Sequence, residues 1–288
     1  MAKKRHDIIE IDLYIDRHDT AEGRYYTVKN DPLINANEKL WSVTTILDRT
    51  ASKSSLDNYK KKQMLVALLE EFAPEIPYAA TLKSAYGKAT GERPDYIKFT
   101  FDGNLGDVFT RIRNNSENDM KQKGEWGSLA HEIVAEYLQG KNIETKLQEQ
   151  EQEVKTSVLN FQDWLSNEGK NIHWQPANIE KTVYHPVEKF AGTADAIGIE
   201  DDEYIVIDWK TGYAGTESKL QIAALAGAWN YHNPRAKITR GYVVQIPREK
   251  EQPYKIFPVN NLEEIYEGFL NALKLFTTKR TIEGLDNE

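Results

Sequence analysis

Between Ala191 and Gly212 the chain reads AGTADAIGIEDDEYIVIDWKTG. Two apolar stretches of strand character flank a short acidic turn, which is the pattern of a tight β-hairpin. One carboxylate, Asp195, stands toward one end of the hairpin and another, Asp208, ends the second strand, with Lys210 two residues on. Residues i and i+2 of a strand share a face, so Asp208 and Lys210 project the same way, toward Asp195 if the two strands pair. Burying two acids beside so apolar a strand is costly unless something pairs them. Lys210 offsets one charge, and a divalent cation with oxygen ligands offsets more. Such a set suits metal-assisted hydrolysis of a phosphodiester. A structural Asp–Lys ion pair is the plainer reading of D-x-K alone. The G-x-x-D of Gly192 and Asp195 at hairpin spacing strengthens the metal reading.

Upstream, GSLAHEIVAEYLQG places Leu129, Ala130, Ile133, Val134, Tyr137 and Leu138 on one helical stripe, stopped by Gly140. His131 lies beside that stripe among the small residues Gly127, Ser128 and Ala135. A lone histidine there is more often a core residue, but a neutral imidazole also completes a metal site built from carboxylates. A solvated face is the plain reading of Glu132 and Glu136 on the same helix, and the favoured one for Glu132. Gln221 opens the helix after the lysine strand, where it is suited to hold the lysine or bridge a phosphate.

The remaining patterns outline the fold. Residues 8–30 alternate as two strands, and Trp41–Leu47 is a short β-branched run. A helical pattern runs from Leu56 to Phe72 and ends before Pro74; the polar run NNSENDMKQK that closes the 74–123 stretch reads as a loop. A second amphipathic helix carries Val154, Val158, Phe161 and Leu165. Strands follow near 178–185, 191–199 and 203–209, then a helix from about Ser218 to Tyr231, strands at 238–246 and 253–258, and a last helix with Ile265, Phe269, Leu273 and Phe276. This order predicts an α/β (α+β) fold with a central mixed sheet flanked by helices.

Charge and composition narrow the partners. The net charge is -8, so a generally basic nucleic-acid binder is excluded. Residues 1–127 hold 20 Lys+Arg and 20 Asp+Glu, and the remainder 17 against 25, so the imbalance lies wholly in the second part. An acidic part still binds nucleic acid if its carboxylates hold metal and a local basic groove meets the phosphates. With no cysteine there is no disulfide framework and no thiolate zinc site. No apolar run approaches the roughly 20 residues of a membrane span, and MAKKRHDIIEID lacks an apolar signal core. A cytoplasmic protein with no membrane partner is the expectation.

WGSLAHEIVAEYL, GTADAIG, IDWKTG and LQIAALAGAWN, in this order, resemble the PD-(D/E)XK nuclease superfamily and, within it, the RecB-like exonuclease branch, including mitochondrial genome maintenance exonuclease and its phage-type relatives. The matches are Gly127 with His131, Gly192 with Asp195, Asp208 with Lys210, and Gln221; SVTTIL with the following Lys53 is a weaker, shorter match. The branch has a tyrosine four residues after the glutamine, where this chain has Leu225, which bears on strand or end preference. The resemblance implies a restriction-endonuclease-like core at 124–280, an N-terminal helical/β extension at 1–123 and a flexible tail at 281–288. It implies that Asp195, Asp208, the Trp209 carbonyl and His131 bind Mg²⁺ or Mn²⁺, with Glu180 as a further carboxylate near the metal. Asp195, Asp208, Lys210 and Gln221 become the catalytic set, with Lys210 orienting or activating water.

The DNA-facing wall is expected in the neutral N-terminal part: Lys53, Lys60, Lys61, Lys62, Arg111, Arg113, Lys121 and Lys123, with Tyr59 and Trp126 as stacking platforms and Ser128 beside them. The implied activity is a metal-dependent DNA exonuclease on single strands or ends, in phage recombination, replication or repair, with a phage recombination or replication protein as a further partner. An endonuclease of the same fold and a non-catalytic nucleic-acid-binding module are the alternatives.

Overall fold

Asp201 and Asp202 both take left-handed backbone angles, φ 53° and 63°. That pair makes a two-residue turn whose twist matches the strands on either side. It joins β5 (Phe190–Glu200) to β6 (Glu203–Lys210) with Glu200 opposite Glu203 and Ile197 opposite Val206. This hairpin is the centre of an eight-stranded sheet in the computed structural model, which describes residues 14–50 and 105–285.

By the density of its contacts the chain divides into two compact units, Met1–Ala51 with Gly127–Glu288, and Ser52–Trp126. In the first, β1 (Tyr14–Thr20) and β2 (Gly23–Lys29) form an antiparallel hairpin, and β2 pairs with β3 (Leu40–Ser42). β3 then runs parallel to the start of β5, Trp41 opposite Phe190. On the other side β6 is parallel to β7 (Ile238–Gln245), which pairs antiparallel with β8 (Lys255–Val259). β4 (His173–His185) covers the opposite edge of β5. The sheet is mixed and flanked by helices, as the element order predicts. Residues 14–50 share the sheet of the 124–280 segment through the pairing of β3 with β5.

β3 pairs with Phe190 and Ala191, and β6 with Ala196 onward. Gly192–Asp195 is left between them, in a fork of the sheet. Here the pleat is interrupted. Ala194 and Ile197 both join one buried cluster although strict alternation would put them on opposite faces. The register of Ile179 with Ala196 and Lys181 with Ala194 sets Glu180 opposite Asp195, and Glu180 has φ 52°. Such irregularities re-aim side chains beside functional sites.

The helices fill both faces. α1 (Val43–Thr50), α5 (Thr216–His232) and α6 (Leu262–Glu283) build the larger core with Val43, Ile46, Ile222, Leu225, Phe269 and Phe276. α2 (Leu105–Leu138) and α4 (Gln152–Asn167) bring aromatic side chains to Trp209 and to one another: Phe161 and Trp164 both lie 5.1 Å from Trp209, and Tyr137 lies 6.1 Å from Phe161. The short α3 (Glu144–Gln148) and one 3-10 turn (Gly169–Asn171) lie between strands and helices of this unit. No helix among the described residues is long and apolar enough to cross a membrane.

Three sequence expectations are corrected. The β-branched run Trp41–Leu47 is a strand only to Ser42; the Ser42 hydroxyl accepts the Thr45 N–H at 3.0 Å and starts α1. The polar run 114–123 is helical, part of α2, where Arg113–Glu117, Asp119–Lys123 and Lys121–Glu125 pair at i,i+4. α6 continues to Glu283, so the tail boundary at 281 falls inside a helix. The helical pattern at 56–72 lies outside the described residues.

Candidate metal centre

Trp209 is the anchor. Its indole is 1% exposed and locked among Phe161, Trp164 and Trp174, which fixes the end of β6. Its neighbours Asp208 and Lys210 then project from the opposite side of the strand. The backbone N–H of Trp209 has passed the last β5 pair and donates instead to Asp195 Oδ2 at 2.7 Å. The N–H and C=O of one strand residue point to the same edge, so the Trp209 carbonyl also faces the fork that holds Asp195.

Two groups of side chains meet here. Lys210 Nζ donates to Asp208 Oδ1 at 3.0 Å and to Gln221 Oε1, on the second turn of α5, at 3.1 Å. On the other side His131 Nδ1 lies 3.4 Å from Asp195 Oδ2. His131, Glu180 and Asp195 each offer a ligand atom, all within 4.8 Å of one another. α2 reaches this point closely because residue 127 is glycine: a methyl group there would stand 3.0 Å from Thr211 Oγ1.

The electrostatics are those of an acid-rich site short of positive charge. Burial pushes Asp208 up, and the Asp195 carboxylate adds to this against the pull of Lys210. Burial would also raise Asp195, but His131, Lys210 and the Trp209 N–H outweigh it and hold that carboxyl below the usual range. Burial alone would lower His131 and Lys210; the Asp195 carboxylate holds His131 up, and Asp208 with Asp195 holds Lys210 up. Glu180 is pushed up to about 7, first by burial of its carboxyl and then by Asp195. Its residue surface as a whole is exposed, so water screens part of that effect.

One atom tests whether a cation fits. Asp208 is 1% exposed, and among the described residues its Oδ2 accepts no hydrogen bond, with Lys210 Nζ 2.7 Å away as an ion partner. A buried carboxylate oxygen with an unused lone pair is costly unless something binds it. Oxygen ligands with one imidazole suit Mg²⁺ or Mn²⁺. The residues present fit such an ion: His131, Glu180 and Asp195 as a cluster, Asp208 Oδ2 and the Trp209 carbonyl beside it.

Of the residues predicted to face DNA, Lys53, Tyr59, Lys60, Lys61 and Lys62 lie outside the described residues. Arg111, Arg113, Lys121, Lys123 and Trp126 belong to α2; Arg113 is exposed and pairs with Glu117, and Trp126 is half-buried. Ser128 is exposed, three residues before His131. Leu225 is 1% exposed in the core. Asp48 of α1, which helps hold Lys210 charged, went unseen because nothing in its local spacing marks a contact so distant in sequence.

No protein-family model matches the chain, and no curated protein does. Among the solved structures it is similar to is that of SSO0001, at 15% identity and a TM-score of 0.25, over 42% of this chain. The chain spans 59% of the length of that structure.

Proposed function

We propose that this protein is a metal-dependent DNA exonuclease of the PD-(D/E)XK superfamily, RecB-like branch, with a restriction-endonuclease-like core. The observation that carries the reading is the convergence of Lys210 on Asp208 and Gln221, next to an Asp195 that meets His131 and the Trp209 N–H. These are the residues that the family motifs single out, drawn from four separate elements.

His131, Asp195, Asp208 and the Trp209 carbonyl, with Glu180, would hold Mg²⁺ or Mn²⁺, and the bound ion supplies Lewis acidity and a water of lowered pKa. Lys210 is held in its charged form by Asp208, Asp195 and Asp48. It therefore acts as a cation that orients the attacking water and stabilises charge developing on the phosphoryl oxygens, rather than as a base. Gln221 fixes the direction of the ammonium. Single strands and DNA ends are the proposed substrates, in phage recombination, replication or repair within the cytoplasm.

The test uses end-labelled linear single-stranded DNA and a closed circle of the same sequence, with Mg²⁺, Mn²⁺ or a chelator. The reading expects digestion of the linear strand only, and none with chelator. Cutting of the circle would make the enzyme an endonuclease, and metal-independent cutting would remove the proposed chemistry.

A further inference from the structure

The β1–β2 hairpin carries two arginines on the face that leads to the fork. Arg17 is opposite Tyr26 in the register, and Arg24 precedes Tyr26 by two residues, so the three share a face. From that face Tyr26 Oη meets Thr193 Oγ1 at 3.0 Å, and Thr182 Oγ1 meets the same hydroxyl at 3.2 Å. Thr193 is two residues before Asp195, and Thr182 two after Glu180.

The pair is held firmly and is open outward. Arg24 has both its N–H and its C=O bonded to the Thr45 hydroxyl, at 2.9 and 3.2 Å. Thr45 is oriented by Ser42, so the S-V-T-T segment serves to fix this arginine. Only glycine fits before it: Gly23 has φ 130°, and a methyl group there would lie 2.5 Å from Thr45 Cγ2. Both arginines use Nε on the Asp19 carboxylate, at 2.9 and 2.8 Å. Their terminal nitrogens make no hydrogen bond among the described residues. Two planar forks gathered around one oxyanion are suited to another.

We propose that Arg17 and Arg24 form a phosphate clamp that holds the backbone of the DNA strand next to the metal centre. This deepens the nuclease reading and rests on it. The residues lie outside the set that sequence motifs mark, and they supply positive charge beside an acidic centre, where a polyanionic strand needs it.

The test measures fluorescence anisotropy of a labelled single-stranded oligonucleotide with the full chain in chelator, over a salt series. The clamp expects Arg17→Ala/Arg24→Ala to weaken binding about tenfold and to flatten the log–log salt slope by about 1.4, the share of two single-strand phosphates. Asp19→Asn breaks the same ion pairs but keeps both cations, and should bind at least as tightly as wild type. Unchanged affinity and slope in the double variant would overturn the clamp, as would equal weakening in Asp19→Asn, which would mark the cluster as hairpin support. A wild-type protein that binds no oligonucleotide would take the nuclease reading down as well. Wild-type binding in chelator, together with wild-type digestion of the same strand in Mn²⁺ and an unaffected double variant, removes the clamp alone.

Discussion

The Asp195 carboxylate accepts the backbone N–H of Trp209 at 2.7 Å, across the point where the β5–β6 ladder has ended. One half-buried acid thus finishes the sheet and faces His131 and Glu180 at once. The indole that holds this N–H in place is locked in an aromatic cluster on the far face. Trp209→Ala should cost about 3–5 kcal/mol of stability, measured by urea unfolding, and should abolish cleavage. A loss below about 1 kcal/mol would mean that the cluster does not anchor the strand.

Asp208 is buried with its proton affinity raised, so its charge is a burden on the folded state in the absence of a cation. Asp208→Asn keeps the shape and removes the charge. Thermal unfolding in chelator should show a Tm unchanged or raised by a few degrees, about 1 kcal/mol, while cleavage falls about 10³-fold. A marked drop in Tm would identify Asp208 as a structural partner of Lys210 instead.

Metal affinity should rise with pH. Glu180, held near 7, and His131, held above its ordinary value, must both release protons before they can bind a cation. Between about pH 6 and about pH 8, Mn²⁺ affinity by calorimetry should therefore increase tenfold or more. Glu180→Gln should flatten the rise. An affinity independent of pH would exclude both residues as ligands.

Metal-free stability runs the other way. His131, Glu180 and Asp208 all have raised proton affinity when folded, so each contributes stability at low pH that is lost as pH rises through its folded pKa. Asp195, held low, loses its contribution only toward acid. In chelator, Tm should decline from about pH 6 to about pH 8, and added Mn²⁺ should restore it. A rising Tm over that range would contradict the electrostatic account.

A tyrosine in place of Leu225 should not help. Leu225 packs over Gly192, where even a methyl group would come within 2.8 Å of its Cδ2. Leu225→Tyr should cost about 1–3 kcal/mol through overpacking, read by urea unfolding, with no gain in strand binding. A stable variant with tighter binding would place that side chain on the DNA path.

Much of this was legible in the sequence where chemistry is local. D-W-K fixes its own geometry because alternation leaves Asp208 and Lys210 on one face, and the stripe around His131 defines its helix. The joining of His131 to Asp195 was reached only through the order of the motifs, since no local pattern links residues so far apart. The 114–123 helix was hidden because its support is i,i+4 charge pairs without apolar spacing. The interrupted pleat at Glu180 and Asp195 was hidden as well, because it arises from where β3 and β6 stop pairing with β5. Arg17 and Arg24 carry no motif and become visible only once the hairpin is placed in the sheet.

The most direct test is the rate at which Lys210→Ala digests end-labelled single-stranded DNA in Mn²⁺, beside wild type, with folding verified by thermal unfolding. The account expects a folded variant about 10²–10³-fold slower. A folded Lys210→Ala protein that cuts at the wild-type rate would contradict it.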